Sequence, residues 1–304
     1  IMSSIDFIGD IHGRSDELEA LLIKLGYQKS GFSYRHTQRS AVFLGDLIDR
    51  GEQNRATINI VRSMVDAGHA QVIMGNHEYN AICYHSNHPK TGLPLREHTA
   101  KNTKQHNAFL VEFGDETTRT EVINWFRQLP LYLETETYRA IHASWHSSKI
   151  NRLKVSLKEG IMTDDFLLQS SVKGSPEHLL VEDLLKGPEL SLPDGKYFVD
   201  KDGHKRLQIR TRWWQKQACT YRDAAMVDQE TLQKIPERPF PTGDLLYGYP
   251  EEAVPVFFGH YWLTGRPTPQ RDNMPASTTV LQNQKGDCAR IVTKAKRNYV
   301  PVVL

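Results

Sequence analysis

The sequence predicts an α/β fold whose strands present polar side chains at their carboxyl ends. Short apolar runs end in glycine, and a polar side chain follows, at four places along the chain: after Ile8, Leu44, Met74 and Phe258. Helical patterns separate the first three runs, and strand–helix–strand units of this kind form right-handed crossovers between parallel strands. Because ligands collect beyond the carboxyl ends of such strands, these four strand ends are candidate parts of one site.

Two amphipathic helices connect the first three strands. Ser15 is the predicted N-cap of the first helix, and Gly26 ends it. Its apolar stripe consists of four leucines: Leu18, Leu21, Leu22 and Leu25. The second helix is predicted to cover about residues 54–67, and Gly68 ends it.

The chain becomes less regular after the third strand. Residues 85–106 are polar and rich in histidine, which indicates an insertion over the sheet. A helix at about residues 121–128 and strands near residues 131–134 and 138–142 are predicted to follow. We expect one domain over residues 1–304.

Residues 146–253, called the cap region below, are predicted to be an insertion that covers the active face. A helix that ends at Gly187 and a hairpin formed by residues 197–199 and 207–209 are predicted within it. The C-terminal tail is predicted to contain two strands, at residues 279–281 and 288–292.

Composition excludes several classes of protein. No apolar run in the 304 residues approaches the roughly 20 residues of a membrane span. Cys83, Cys219 and Cys288 are too scattered for a disulfide framework or a thiolate zinc site. The start of the chain also lacks a secretory signal, so a cytoplasmic location is expected. The net charge of +2 tolerates an anionic substrate but indicates no stable nucleic-acid partner.

Two motifs at the first two strand ends carry carboxylates. Asp10 and His12 lie two residues apart, so in an extended segment their side chains point to the same side. The next motif places Asp46, Asp49 and Arg50 after a buried strand, where carboxylates are costly unless they are paired or metal-bound. The structural alternative for this motif is an ion pair between Asp49 and Arg50 at a turn.

The remaining strand ends add an amide and three histidines. Asn76 offers an oxygen ligand, and His77 offers an acid near neutral pH. The alternative is Asn76 as a helix N-cap beside a solvated histidine. His142 and His260 follow two further strands. A lone histidine beside apolar residues is usually a hydrogen-bonded core residue, so these two gain weight only from their positions.

Together the strand ends supply six oxygen and nitrogen donors without sulfur: Asp10, His12, Asp46, Asn76, His142 and His260. Imidazole with carboxylate suits Mn, Fe, Zn or Ni better than Ca²⁺. Two such ions lie about 3.5–4 Å apart and can hold both oxygens of an in-line displacement. The sequence therefore predicts a dinuclear phosphoesterase, and we expect manganese first.

The order of these motifs resembles the calcineurin-like metallophosphoesterases, within them the phosphoprotein phosphatase branch. The chain is similar there to symmetric diadenosine tetraphosphate hydrolases and to the phosphatase domain of bacterial polynucleotide kinase-phosphatases. The resemblance covers residues 5–145 and 254–262. It implies a four-layer αββα sandwich of two mixed sheets.

The resemblance also implies residue roles. Asp10 and His12 would hold the first metal ion, and Asp46 would bridge both ions. The second ion would be held by three residues: Asn76, His142 and His260. A water that bridges the ions would attack phosphorus directly.

Further residues would bind and protonate the substrate in such an enzyme. His77 would protonate the leaving oxygen, with Asp49 orienting its ring. Arg50 would bind the phosphoryl oxygens, with Asn76 nearby. A second phosphate-binding arginine is expected from the cap region, Arg212 in preference to Arg210. Eight further histidines, among them His85, His98 and His106, are expected to be solvated or packing residues, whereas His146 is a candidate for a supporting position beside His142.

The sequence leaves several substrates open. A phosphomonoester, either a phosphoprotein or a small phosphorylated metabolite, is preferred. A dinucleoside polyphosphate is the first alternative, because Trp213 and Trp214 offer a surface on which a base can stack. RNA ends, including 2′,3′-cyclic phosphates, are a further alternative. An inactive phosphate-binding module ranks lowest, because no donor is missing.

Overall fold

The computed structural model describes residues 4–199, 203, 205–241, 245–261 and 273–274, together with the backbone of residues 289–294 and 298–303. The strands in this part of the chain are β1 (Ser4–Ile8), β2 (Gln28–Ser30), β3 (Ser33–Arg35), β4 (Arg39–Phe43), β5 (Ala70–Val72), β6 (Tyr132–Glu134), β7 (Arg139–Ile141), β8 (Leu157–Lys158), β9 (Ile161–Met162), β10 (Glu189–Ser191), β11 (Phe198–Val199), β12 (Lys205–Arg206), β13 (Gln208–Arg210), β14 (Val256–Phe258), β15 (Ala289–Lys294) and β16 (Asn298–Val303).

The α-helices in the same residues are α1 (Ser15–Lys24), α2 (Asn54–Asp66), α3 (Asn76–His85), α4 (Ala100–Glu112), α5 (Glu116–Phe126), α6 (Ser147–Ser156), α7 (Asp164–Ser171), α8 (Pro176–Lys186), α9 (Tyr221–Ala224) and α10 (Gln229–Leu232). None of them combines the length and the apolar character that a membrane span requires.

Two mixed sheets form the centre of the fold. The larger sheet has the strand order β16-β15-β1-β4-β5. Its strands β1, β4 and β5 are parallel, with Ile8 level with Phe43 and Phe43 level with Val72, and β15 runs antiparallel to β1. The smaller sheet has the order β14-β7-β6, in which β14 is parallel and β6 antiparallel to β7.

The two sheets pack face to face, with helices on the outer face of the larger sheet. Phe7 of β1 stacks on Phe257 of β14 with ring centroids 3.5 Å apart, and its ring meets Tyr138 edge-on. The neighbouring Ile8 points to the opposite side, because side chains alternate along a strand, and it joins the apolar cluster that contains the leucines of α1. The predicted sandwich of two mixed sheets and flanking helices is confirmed.

The helices α1 and α2 end where the sequence predicts. The φ angles of Gly26 and Gly68 are +87° and +71°, a left-handed conformation that stops a helix and favours glycine. The predicted start of α1 is wrong by one residue. Arg14 occupies the N-cap position, and Ser15 lies inside the first turn without making a capping hydrogen bond.

The polar, histidine-rich segment at residues 85–106 does more than cover the sheet. The helix α4 buries His106 and Phe109, so this segment packs into the body. The next helix, α5, begins at Glu116, earlier than predicted, because Asp115 caps it by accepting a hydrogen bond from the Thr118 backbone.

In the cap region the predicted hairpin has different partners. Strand β11 pairs with β12, whereas β13 pairs with β10. The pairing with β10 places Ile209 in a small apolar cluster with Leu192 and Ile235. Burial of these side chains favours this pairing over a local hairpin. Of the tail predictions, residues 279–281 lie outside the described residues, and β15 covers most of residues 288–292.

Candidate metal centre

The strand ends bring the six predicted donors to one edge of the two sheets. Asp10 and His12 follow β1, Asp46 follows β4, and Asn76 begins α3 after β5. The other two donors follow neighbouring strands of the smaller sheet: His142 after β7 and His260 after β14. All six side chains are buried. The parallel order within each sheet is therefore what gathers donors from distant parts of the sequence.

Asp46 lies at the middle of this cluster. Its Oδ2 is 3.7 Å from His12 Nε2 and 3.3 Å from His142 Nε2. Asp10 Oδ2 lies 3.9 Å from His12 Nε2, and Asn76 Oδ1 lies 3.2 Å from His142 Nε2. A carboxylate in this position can coordinate two neighbouring cations at once.

Two overlapping groups of potential ligand atoms meet at Asp46. One group contains His12, Asp46 and His77, and the other contains Asp46, His142 and His260. Within each group the atoms lie within 4.8 Å of one another. Both groups have the dimensions of a metal site, and they share a carboxylate.

The histidines are oriented for coordination through Nε2. His12 Nδ1 lies 2.9 Å from the Ile48 carbonyl oxygen, and His142 Nδ1 lies 2.6 Å from that of Leu44. A carbonyl accepts, so Nδ1 donates, and in the neutral form of each ring the Nε2 lone pair faces the cluster. Among the described residues His260 Nε2 is buried without a hydrogen-bond partner. A cation would satisfy this nitrogen, and the set of O and N donors fits a pair of divalent transition-metal ions.

The backbone around the donors is strained. Seven described residues other than glycine have positive φ angles, and five of them belong to this site: His12, Asp46, Asp49, Arg50 and His260. Such conformations persist only where the surrounding structure enforces them, and they are concentrated at functional sites.

Glycines next to the donors allow the close approach of chain segments. A Cβ atom on Gly45 would lie 2.5 Å from Gly75 Cα, and one on Gly259 would lie 2.7 Å from Asp10 Oδ1. The glycines before Asp46 and His260 are therefore steric requirements of the converging turns. This explains the repeated sequence pattern.

Burial and mutual charge perturb the acid–base properties of the donors. Burial, together with the charge of Asp46, raises the pKa of Asp10 to about 6. Burial lowers the pKa of His12 to about 3. Burial acts against protonation of His142 as well, but the carboxylate of Asp46 outweighs it and raises the pKa to about 9. The raised pKa of Asp10 reflects a carboxylate that is buried next to a second negative charge, and a cation bound there would favour its ionised form.

Glu78 is a site residue that sequence reasoning missed. Its Oε2 accepts hydrogen bonds from the backbone N–H groups of Asp46 (2.8 Å) and Gly75 (2.9 Å), and its Oε1 accepts from that of Leu47 (2.8 Å). The buried carboxylate thereby fastens the turn at Asp46 to the start of α3. Its position next to His77 in the third motif was the available signal.

His77 lies beside the metal-binding groups and in contact with Asp49. Its Nδ1 is 2.6 Å from Asp49 Oδ2, and its side chain is 15% exposed. Burial acts to lower the pKa of His77, but the carboxylates of Asp46 and Asp49 outweigh it and raise the pKa. Its contact with Asp49 is the one the sequence predicts, and its role as an acid stays a prediction.

His106 is not the solvated or merely packing residue that the sequence suggested. Its side chain is buried, and its Nδ1 lies 2.9 Å from Asp49 Oδ1. The earlier interpretation was wrong because α4 packs against the loop of the second motif. Since 57 residues separate His106 from Asp49, no local spacing could reveal the contact.

The arginines differ in their distance from the centre. Arg210 lies over the Tyr261 ring at 5.8 Å, and its charge adds to burial in lowering the pKa of His260. The backbone N–H of Arg212 donates a hydrogen bond to the carbonyl oxygen of Ala224, at a bridge within the cap region. The geometry therefore favours Arg210, the reverse of the expected order. Arg50 is exposed at the rim, and its charge acts on both His12 and His77.

The tryptophan pair does not offer the predicted stacking surface. Trp213 and Trp214 are 0% and 3% exposed. Their rings pack against Phe258 of β14, with centroids 5.4 and 5.8 Å from its ring. The prediction that they stack a nucleobase is wrong, because they anchor the cap region to the smaller sheet.

Comparison with known proteins gives the following matches. The family model described as calcineurin-like phosphoesterase matches residues 3–192. An asymmetrical bis(5′-nucleosyl)-tetraphosphatase of Bacillus velezensis is 30% identical over 178 residues, 56% of this chain and 68% of the relative. A symmetrical bis(5′-nucleosyl)-tetraphosphatase of Vibrio cholerae is 30% identical over 137 residues, 45% of this chain and 42% of the relative.

Among solved structures, a protein serine/threonine phosphatase from Saccharomyces cerevisiae superposes with a TM-score of 0.53 and 13% identity. The superposition covers 99% of this chain and 79% of the yeast chain. At this identity the likeness shows a shared fold and nothing about the substrate.

Proposed function

Since the chain belongs to the calcineurin-like phosphoesterase family, we propose that it hydrolyses its substrate at two divalent metal ions held by the strand-end donors. Membership makes the chain a hydrolase of phosphoester bonds and implies divalent metal ions. The observation that carries the proposal is the position of Asp46 between two groups of nitrogen and oxygen donors, one of which contains the unpartnered Nε2 of His260.

The residues divide into two sets around Asp46. Asp10 and His12 would hold one ion, with Asp46 shared by both ions. The other ion would be held by Asn76, His142 and His260. Bound there, the ions supply an activated water and neutralise charge on the phosphoryl oxygens. We place Mn²⁺ first and keep Fe, Zn and Ni as alternatives, because the donor set suits all four.

The protein's own side chains handle the leaving group and the phosphoryl oxygens. Asp49 accepts a hydrogen bond from His77 Nδ1, and the carboxylates of Asp46 and Asp49 raise the pKa of His77. In its protonated form the ring carries a second proton, on Nε2, which faces away from Asp49 and is available for the leaving oxygen. Arg50 at the rim and Arg210 from the cap region supply positive charge, and a guanidinium binds a phosphoryl group through two parallel hydrogen bonds.

Dinucleoside tetraphosphates are the substrate class that we place first. This choice is supported by the names of two relatives, one an asymmetrical and the other a symmetrical bis(5′-nucleosyl)-tetraphosphatase. A phosphomonoester, the preference from sequence, is the second candidate. The burial of Trp213 and Trp214 favours it, because it removes the base-stacking surface that first suggested a dinucleotide.

Parallel assays test the function and separate the substrates. Protein stripped with EDTA and reloaded with Mn²⁺ would be incubated with diadenosine tetraphosphate, p-nitrophenyl phosphate, a phosphopeptide and a 2′,3′-cyclic nucleotide. We expect turnover only after reloading, and fastest with diadenosine tetraphosphate. Chromatography then distinguishes ATP plus AMP from two ADP. Metal-loaded protein that turns over none of the four substrates would contradict the proposal.

A further inference from the structure

A chain of hydrogen-bonded side chains leads from the candidate acid into the body of the protein. His77 Nδ1 lies 2.6 Å from Asp49 Oδ2, and Asp49 Oδ1 lies 2.9 Å from His106 Nδ1. On its far side, His106 Nε2 lies 3.1 Å from His85 Nε2. His77 and His85 lie near opposite ends of α3, whereas His106 belongs to α4. The network therefore joins two helices through one carboxylate.

The positions of the protons in this network follow from Asp49. Asp49 is buried, and each of its carboxylate oxygens faces one imidazole nitrogen: Oδ2 lies 2.6 Å from His77 Nδ1 and Oδ1 lies 2.9 Å from His106 Nδ1. An ionised carboxylate only accepts hydrogen bonds. His77 and His106 must therefore each carry a proton on Nδ1 and donate it to different oxygens of Asp49. Of the facing Nε2 atoms of His106 and His85, one donates and the other accepts.

Helix α4 also holds the backbone of Asp49. Glu112 of α4 accepts a hydrogen bond from the backbone N–H of Asn54 at 2.7 Å, and Asn54 Oδ1 accepts one from the backbone N–H of Asp49 at 2.7 Å. The His106 ring stacks on Phe109 with centroids 4.6 Å apart. The helix thus fixes the Asp49 backbone through Glu112 and the Asp49 carboxylate through His106.

We propose that His106 is a positioning residue for protonation of the leaving group. Its Nδ1–H holds one oxygen of Asp49, so that the other oxygen remains aligned with His77 Nδ1. With a single partner the carboxylate could rotate about its terminal torsion, which is soft. This inference rests on the proposed function, because it concerns the acid of the same reaction.

Three variants separate positioning from simple packing. His106→Phe keeps a ring to stack on Phe109 but removes the N–H donor. His106→Asn retains an amide N–H close to the position of Nδ1. Glu112→Gln is the matched control, because it weakens the attachment of α4 to Asn54 without touching the Asp49 carboxylate.

The kinetic test compares leaving groups. Protonation matters most for an alkoxide leaving group and little for p-nitrophenolate, which leaves readily without a proton. With His106→Phe we expect kcat to fall about tenfold or more for an alkyl phosphate and less than about threefold for p-nitrophenyl phosphate. His106→Asn should restore most of the loss, and Glu112→Gln should change both rates by the same factor. Equal losses for both substrates with His106→Phe, or no loss, would overturn the proposal.

A spectroscopic test does not depend on turnover. In protein labelled with ¹⁵N-histidine, the Nδ1 protons of His77 and His106 should be observable, because both are hydrogen-bonded and largely buried. In His106→Phe the His77 Nδ1 proton should exchange with water at least about tenfold faster, and it should recover in His106→Asn. An unchanged His77 signal in His106→Phe would refute the positioning role. If the protein hydrolysed no phosphate at all, the proposed function would fail while this measurement remained decisive for the contact.

Discussion

The strand-end donors and the cap region place their side chains in different ways. At the donors the backbone itself is forced into left-handed conformations, as at His12, Asp46 and His260. In the cap region the tryptophans form ordinary core, and the charges of Arg210 and Lys186 act on His260 from a distance. From this difference we expect the body to determine the chemistry and a few cap side chains to adjust substrate binding. Changes in the first region should abolish every reaction, and changes in the second should alter selectivity or stability.

Asp46→Asn should produce the largest effect. The change removes the negative charge shared by both groups of donors, so we expect turnover to fall by about a thousandfold or more for every substrate, with loss of bound metal. Metal content by elemental analysis and the rate with each substrate would measure it.

A matched change in the cap region sharpens this comparison. Asp183 pairs with Lys149 and accepts a hydrogen bond from Tyr247, so Asp183→Asn should lower Tm yet leave the metal content intact. Loss of metal from Asp183→Asn would contradict the expectation that changes in the cap region leave metal binding intact.

His77→Asn should have the next largest effect. The side chain loses its acid, and we expect kcat to fall about a hundredfold or more while both metal ions remain bound. Metal analysis of the purified variant is the control. Loss of metal from His77→Asn would instead make His77 a ligand, consistent with its place in one of the two groups of donors.

Replacing the cap arginines should have a moderate effect. Arg210→Ala should lower kcat/KM about tenfold, mainly through KM, because the change removes the positive charge that we propose binds the substrate phosphate. Arg212→Ala should stay within about threefold of the parent. Steady-state kinetics on the two variants tests which arginine contributes more to substrate binding. A larger loss with Arg212→Ala would support the preference for Arg212 that the sequence suggested.

Thiol labelling compares the accessibility of a cysteine in the body with that of a cysteine in the cap region, and it does not depend on an activity assay. Burial raises the pKa of Cys83 in α3 to about 12, whereas Cys219 in the cap region is exposed. At pH 8 only about one part in 10⁴ of a thiol with that pKa is thiolate, the reactive form. In a Cys288→Ser background, iodoacetamide should modify Cys219 and leave Cys83 unlabelled until urea is added. Fast labelling of Cys83 in the folded protein would show that α3 opens readily.

Much of the fold and most of the cluster of donors could be predicted from local sequence. The runs before Asp10, Asp46 and Asn76 are apolar and end in glycine, and the parallel order of β1, β4 and β5 then brings the following residues together. Gly26 and Gly68 marked the helix ends correctly, because a left-handed residue has a strong preference for glycine.

The remaining features depend on contacts between distant segments. Nothing near His106 in the sequence shows that α4 will pack against the loop of Asp49. The pairing of β13 with β10 follows from the burial of Ile209, which a nearby turn signal could not reveal. The burial of Trp213 could not be inferred either, since an aromatic pair suits both a binding surface and a core.

The left-handed residues of the site have a consequence for the life of the protein in the cell. Each such residue costs on the order of 1 kcal/mol, so five of them cost about 5 kcal/mol, against a typical net stability of about 5–15 kcal/mol. Ions that bind only the folded chain offset this cost by mass action. The concentration of available metal would then determine the cellular half-life of the protein as well as its turnover rate. At low metal concentration the amount of the protein itself would fall.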